Sequence, residues 1–122
     1  MKIVDANVVL RYLLNDNDEL SRKAADILEN DEIFIPNEVI AEIVYVLQKV
    51  YTVKNDEISN ILLNLLQYEN LNVYNIEVVK EAFVLFSNRK IDFVDTLLYA
   101  YHKVNGYEVC TFDKKLNKLF EK

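Results

Sequence analysis

Residues 1–14, MKIVDANVVLRYLL, join a short apolar run to a helical pattern. Lys2–Asp5 is typical of a strand covered on both faces, and Asn7–Leu14 has the pattern of a short helix. Asp5 stands at the junction between them. A carboxylate in that position either caps the helix or belongs to a functional site at the end of the strand. The rest of the sequence has to decide between these interpretations.

The alternation of strand and helix continues along the chain. Three further runs predict strands: Glu32–Ile35, Leu71–Asn75 and Tyr107–Phe112. Helices are predicted at Asp18–Glu29, from Asn37 to Val50, from Asn55 or Asp56 to Gln67, and at Ile76–Ser87, Phe93–Val104 and Lys114–Phe120. Because no hairpin turn separates the strands, we expect parallel pairing. The predicted fold is one domain over residues 1–122, a three-layer α/β/α sandwich around a mainly parallel sheet of four to five strands.

The composition excludes several classes of protein. One Gly and one Pro among 122 residues leave no glycine-rich phosphate-binding loop. The single cysteine, Cys110, cannot form an internal disulfide, and we expect it to pack within its strand. The sequence shows no signal peptide and no run of ~18 apolar residues, so we expect a soluble, cytoplasmic protein that does not contact the membrane.

The net charge of −6 argues against passive nucleic-acid binding, because phosphate contacts usually need basic side chains. It does not argue against a metal-dependent enzyme. If four acids bound two divalent cations, the loaded protein would carry only −2.

Asp5 and Asp113 follow the first and the last predicted strand. Ligands of parallel α/β sheets bind beyond the carboxyl ends of the strands, so both acids would lie at the same edge. Each of them could instead be the N-cap of the helix that follows it.

Further acids lie on predicted helices. Asp92 and Asp95, in IDFVDTLLYA, could form a capping box, and Glu38 and Glu42, in NEVIAEIVYVL, could lie on a solvated face. The residues around Asp95 are largely apolar, and a buried carboxylate without a partner is costly. A shared Mg²⁺ or Mn²⁺ would remove that cost, because these cations prefer oxygen ligands.

Four stretches together resemble the PIN domain, and most closely the VapC-type toxins of toxin–antitoxin pairs. They are DANVVLRYLL, NEVIAEIVYVL, IDFVDTLLYA and VCTFDKKL, and the resemblance covers the whole chain. It implies four catalytic acids that are also the metal ligands: Asp5, Glu42, Asp95 and Asp113. It implies three supporting residues: Asn7, Thr111 and Asp92. Glu38 is the alternative to Glu42.

The resemblance implies an Mg²⁺- or Mn²⁺-dependent endoribonuclease that hydrolyses RNA, either tRNA or rRNA. The cation would lower the pKa of a bound water and orient it for in-line attack. A cognate antitoxin and a homodimer are also implied. The helices EIVYVLQKVY and SNILLNLLQY have apolar residues on more than one face, which suits an interface, although burial in the sandwich is the alternative. Lys114, Lys115 and Arg11 could contact the RNA backbone.

Other functions fit parts of the sequence. A catalytically inactive PIN-like interaction module is one alternative, although the presence of all four acids argues against it. Phosphatases of the haloacid-dehalogenase type use a D-x-D after their first strand, and Asn7 replaces the second acid, which is their general acid. Receiver domains match the length, but the predicted strand Leu71–Asn75 ends without a phosphoacceptor aspartate.

Overall fold

The computed structural model describes residues 1–121 as three short strands and seven helices. The strands are β1 (Lys2–Ile3), β2 (Ile33–Phe34) and β3 (Leu71–Asn72). The helices are α1 (Ala6–Leu14), α2 (Asp18–Asn30), α3 (Asn37–Lys49), α4 (Asn55–Leu65), α5 (Ile76–Asn88), α6 (Phe93–Asn105) and α7 (Lys114–Phe120). The expected α/β class is confirmed. Every helix in this part of the chain falls short of the length and hydrophobicity that crossing a membrane requires.

The sheet has the order β1-β2-β3, and both strand pairs are parallel. Ile33 of β2 aligns with Lys2 on one side and with Leu71 on the other. The N–H of Ile35 donates to the Asn72 carbonyl at 2.8 Å, which continues the contact just beyond the paired residues. Helices connect the strands, as parallel pairing requires.

The fourth predicted strand is absent, and the sheet has three strands in residues 1–121 rather than four to five. Residues 107–112 form no ladder with β1, whose outer edge is unpaired in the described chain. Phe112 is fully exposed, and Cys110, which we expected to be packed, is exposed too. An apolar run forms a buried strand only where other elements cover it, and here four of the six residues are exposed. The predictions of a strand at Tyr107–Phe112 and of a packed cysteine were therefore wrong.

The predicted helices differ from the observed ones by no more than two residues at either end. Local side-chain hydrogen bonds explain this agreement at the starts of α1, α2, α5 and α7, and α3, α4 and α6 begin without one. Asn17 and Asn75 accept from backbone N–H groups in the first turns of α2 and α5. Gly106 ends α6 in the left-handed conformation, with φ at +76°, which glycine adopts without strain.

An aromatic cluster in the core holds the start of α6 against α5. The ring centroids of Phe83 and Phe93 lie 4.7 Å apart, and those of Phe86 and Phe93 lie 5.6 Å apart. Phe83 and Phe86 are fully buried. Because Phe93 is the first residue of α6, this packing also positions Asp95 in the first turn of that helix.

Candidate functional site

Three of the predicted acids line one small pocket. Asp92 immediately precedes α6, Asp95 lies in its first turn, and Asp113 immediately precedes α7. The pocket has a volume of about 340 Å³. Its other walls are Lys90, Ile91, Lys114 and Lys115. We call it the acidic pocket.

Asp95 has the most unfavourable electrostatic environment in the acidic pocket. Burial raises the pKa of Asp95, and the nearby charges of Asp113 and Asp92 raise it further. No basic side chain in residues 1–121 forms an ion pair with any of the three acids. A bound cation would supply the positive charge that this half-buried carboxylate lacks.

Asp5 and Asp113 both cap the helices that follow them. Asp5 Oδ1 accepts a hydrogen bond from the Val8 N–H at 3.1 Å, and Asp113 Oδ1 accepts one from the Leu116 N–H at 2.9 Å. In the described chain, the second oxygen of each carboxylate accepts no hydrogen bond. A carboxylate that caps with one oxygen can bind a cation with the other, so the two interpretations of these residues are compatible.

Asp92 is at the N-cap position of α6 but does not act as a cap. Its side chain accepts no hydrogen bond from the helix, so the capping box that Asp92 and Asp95 could have formed is absent. The carboxylate of Asp92 instead lies exposed at the wall of the acidic pocket, where its charge acts on Asp95.

Thr111 holds the backbone that leads to Asp113. Its Oγ1 accepts a hydrogen bond from the Asp113 N–H at 3.0 Å, and its carbonyl accepts one from Asn117 Nδ2 at 3.0 Å. These two hydrogen bonds restrain the backbone that leads to Asp113. Asn7, the other polar residue expected to support the site, lies exposed in the first turn of α1.

Asp5 and Glu42 do not line the acidic pocket. Asp5 is exposed at the start of α1, and Glu42 is exposed on α3. Within residues 1–121, no three acidic, histidine or cysteine side chains are grouped closely enough to hold one metal ion. The expected convergence of Asp5 and Asp113 depended on residues 107–112 joining the sheet, and those residues are unpaired. The roles of Asp5 and Glu42 stay predictions.

The donor set of the acidic pocket suits a hard divalent cation. Its candidate ligands are carboxylate oxygens, and among residues 1–121 neither a thiol nor an imidazole lines it. Mg²⁺ is commonly held by one or two carboxylates, with waters and substrate phosphates completing its octahedron, so it does not need three protein acids. The residues present therefore fit Mg²⁺ or Mn²⁺.

The sequence interpretation overlooked Lys90, which lines the acidic pocket. The available signal was its position directly before the IDFVD stretch that contains Asp92 and Asp95. Arg11, which we expected to meet the RNA backbone, instead forms an ion pair with Asp16 at 2.7 Å and does not line the pocket.

Comparison with known proteins gives matches that span nearly the whole chain. The sequence model of the PIN domain family matches residues 2–121. The chain is 31% identical over 130 aligned positions to a protein named VapC ribonuclease from Aquifex aeolicus (strain VF5). That alignment covers 98% of this chain and 92% of the relative. No solved structure gives a significant match.

Proposed function

The chain belongs to the PIN domain family, and on that premise we propose that it is a metal-dependent endoribonuclease, the toxin of a toxin–antitoxin pair. One observation carries the proposal: the acidic pocket holds a half-buried Asp95 whose pKa is raised by burial and by two further carboxylates. Structural acids are normally paired or solvated, and perturbed groups in a cleft are candidates for a functional site. The similarity to a protein named VapC ribonuclease supports RNA as the substrate.

The proposed metal ligands and catalytic acids are Asp5, Glu42, Asp95 and Asp113. A bound Mg²⁺ or Mn²⁺ would supply a water of lowered pKa and would neutralise charge on the phosphate. Asp95 and Asp113 provide negative charge from two sides of the acidic pocket. Asp5 keeps one carboxylate oxygen available beside its capping bond, as Asp113 does.

The remaining residues of the proposed site orient the metal ligands or attract the cation and the phosphodiester. Thr111 restrains the Asp113 backbone through its hydroxyl, and Asn7 is proposed to orient a ligand near Asp5. Lys114 and Lys115 line the acidic pocket, where their ammonium groups can attract a phosphodiester. Asp92 is proposed to strengthen the negative potential that draws the cation.

We propose tRNA or rRNA as the substrate and the cytoplasm as the place of the activity. A second candidate function is a catalytically inactive PIN-like interaction module. It is favoured by one observation, namely that Asp5 and Glu42 do not line the acidic pocket.

Cleavage of end-labelled tRNA and rRNA tests the proposal and separates the two candidates. Wild type and Asp95→Asn are compared in Mn²⁺ and in chelator, with Asp26→Asn, an exposed acid on α2, as the matched control. We expect discrete cuts from wild type and the control in Mn²⁺ only. Equal, weak degradation by all three proteins would indicate contamination. No cleavage by any of them would favour the inactive module.

We also propose a homodimer and a cognate antitoxin protein as partners. Leu62 and Leu65 of α4 are buried within the fold, but apolar surface remains at the end of α3. Tyr45, Val50 and Tyr51 are exposed there. Exposed apolar side chains such as these are candidates for an interface.

Sedimentation at micromolar concentration tests the homodimer. We expect a dimer mass for wild type and a shift toward monomer for Tyr45→Ser. Tyr45 is 61% exposed, and Tyr74, at 73%, gives a matched control on a different surface. A strictly monomeric wild type would contradict the proposal.

A further inference from the structure

A second groove, of about 660 Å³, adjoins the acidic pocket. It lies between the end of α3, the start of α4 and the connection from α5 to α6. We call it the basic groove after its four basic side chains: Lys49, Lys54, Arg89 and Lys90. Lys90, Ile91 and Asp92 line both the basic groove and the acidic pocket, so the two are contiguous.

Positive charge is concentrated at the basic groove and the acidic pocket. Six basic and four acidic side chains line them, a net charge of +2, so the rest of a chain with net charge −6 carries −8. None of those six basic side chains forms an ion pair in residues 1–121. Of the other basic side chains in residues 1–121, Lys2, Arg11, Lys23 and Lys103 are paired with acids, and Arg22, Lys80 and Lys118 are not. Unpaired cations gathered on one side of an acidic protein attract a polyanion to that side.

Hydrogen bonds hold the walls of the basic groove. Asn55 Oδ1 accepts from Gln48 Nε2 at 2.8 Å, and Asn55 Nδ2 donates to the Arg89 carbonyl at 3.3 Å. The side-chain amide of Asn55, at the start of α4, thus bonds both the end of α3 and the residue that follows α5. Because the groove exists before any ligand binds, little ordering cost would reduce the affinity.

We propose that the basic groove binds the phosphate backbone of RNA and directs one phosphodiester into the acidic pocket. This inference rests on the proposed nuclease function. Lys and Arg contacts to phosphates supply affinity without reading the bases, so the basic groove contributes binding energy rather than sequence preference. It also explains how a protein with a net charge of −6 can hold RNA.

Fluorescence anisotropy of a labelled, mixed-sequence RNA oligonucleotide tests this inference in chelator, where cleavage does not interfere. The groove variant Lys54→Gln/Arg89→Gln removes two charges and leaves the Arg89 carbonyl that bonds Asn55. The control variant Arg22→Gln/Lys80→Gln also removes one Lys and one Arg, both exposed and outside the basic groove.

We expect the groove variant to bind RNA about tenfold more weakly than wild type at ~0.1 M salt. The slope of log affinity against log salt should become shallower by about 1.4, since each lost phosphate contact on a single strand removes ~0.7. The control variant should keep the wild-type slope. Circular dichroism checks the fold, and Lys49→Gln/Lys54→Gln replaces the first variant if that one unfolds.

Equal affinities and slopes for the groove and control variants would overturn the inference. Stronger binding of polyglutamate than of RNA at the basic groove would also overturn it, because the partner would then be an acidic polypeptide. Failure of the groove assignment can be distinguished from failure of the nuclease proposal. Metal-dependent cleavage with an unchanged KM in the groove variant would remove only the groove assignment. Loss of RNA binding in that variant, without cleavage by wild type, would remove only the nuclease.

Discussion

The carboxylate of Asp113 raises the pKa of Asp95 across the acidic pocket, although the two residues begin different helices. Burial of Asp95 contributes more to the shift, and Asp92 contributes less. The three causes act in one direction, because each of them disfavours the ionised form of Asp95. The predictions about the acidic pocket follow from this unfavourable arrangement of like charges.

Asp95 should destabilise the metal-free protein at neutral pH. Since its pKa is higher in the folded than in the unfolded state, the folded state binds more protons between the two values, and stability falls as the pH rises through them. We expect Asp95→Asn to melt at a higher temperature than wild type at pH 7 in chelator. The difference should shrink at about pH 3, below the ordinary Asp pKa of ~3.9. Thermal melts of both proteins across this pH range measure the difference in melting temperature. A lower melting temperature for Asp95→Asn than for wild type at pH 7 would contradict the prediction.

A divalent cation should reverse that effect. Mn²⁺ at about 100 times its Kd should stabilise wild type by about 2.7 kcal/mol, because it binds the folded state. Asp95→Asn and Asp113→Asn should gain much less, and asparagine at residue 113 can still cap α7. Melting curves with and without Mn²⁺ measure the gain, with Asp26→Asn as the control. Equal gains in all four proteins would place the cation elsewhere.

Glu42→Gln should reduce RNA cleavage by at least about 100-fold, because altering even a residue that only supports the ligands of a metal site costs up to that much. Glu38→Gln, one helical turn earlier on α3, should leave cleavage close to wild type. Both glutamates are exposed, so both variants should keep their stability within about 0.5 kcal/mol. Cleavage rates measure the activity of the two variants, and urea unfolding measures their free energies of unfolding. A larger effect at Glu38 would exchange the roles of the two residues.

Thr111→Val should reduce cleavage by about 10- to 100-fold, because Asp113 loses the hydroxyl that accepts its backbone N–H. The loss of that hydrogen bond should cost about 1 kcal/mol of unfolding free energy. Thr111→Ser keeps the hydroxyl and should restore the rate. If valine and serine give the same rate, the hydrogen bond does not matter for activity.

Phe83→Ala should destabilise the fold by about 3–5 kcal/mol, because the side chain is fully buried against Phe93. Phe112→Ala should change stability by no more than about 0.5 kcal/mol, because Phe112 is fully exposed. Urea unfolding measures the free energy of unfolding of the Phe83→Ala and Phe112→Ala variants. A large cost at Phe112 would mean that this side chain packs against the protein after all.

The amino-acid sequence by itself determined the helices, the parallel α/β class and the acids that begin α6 and α7. Helix boundaries depend on groups a few residues apart, such as the Asp113 carboxylate and the Leu116 N–H, and a single sequence contains both. Asp92 shows the limit of that reasoning, since it occupies a cap position and forms no capping bond.

Tertiary structure alone decided how far the sheet extends and which acids meet. The apolar run at residues 107–112 makes burial favourable but does not specify a partner, and in the described chain it joins no strand and four of its six residues are exposed. Asp95 and Asp113, from the starts of two different helices, line the acidic pocket together, and Lys90 lines both this pocket and the basic groove. Contacts between distant segments depend on the free energy of the whole packed arrangement. The local hydrophobic periodicity of a sequence does not predict that free energy.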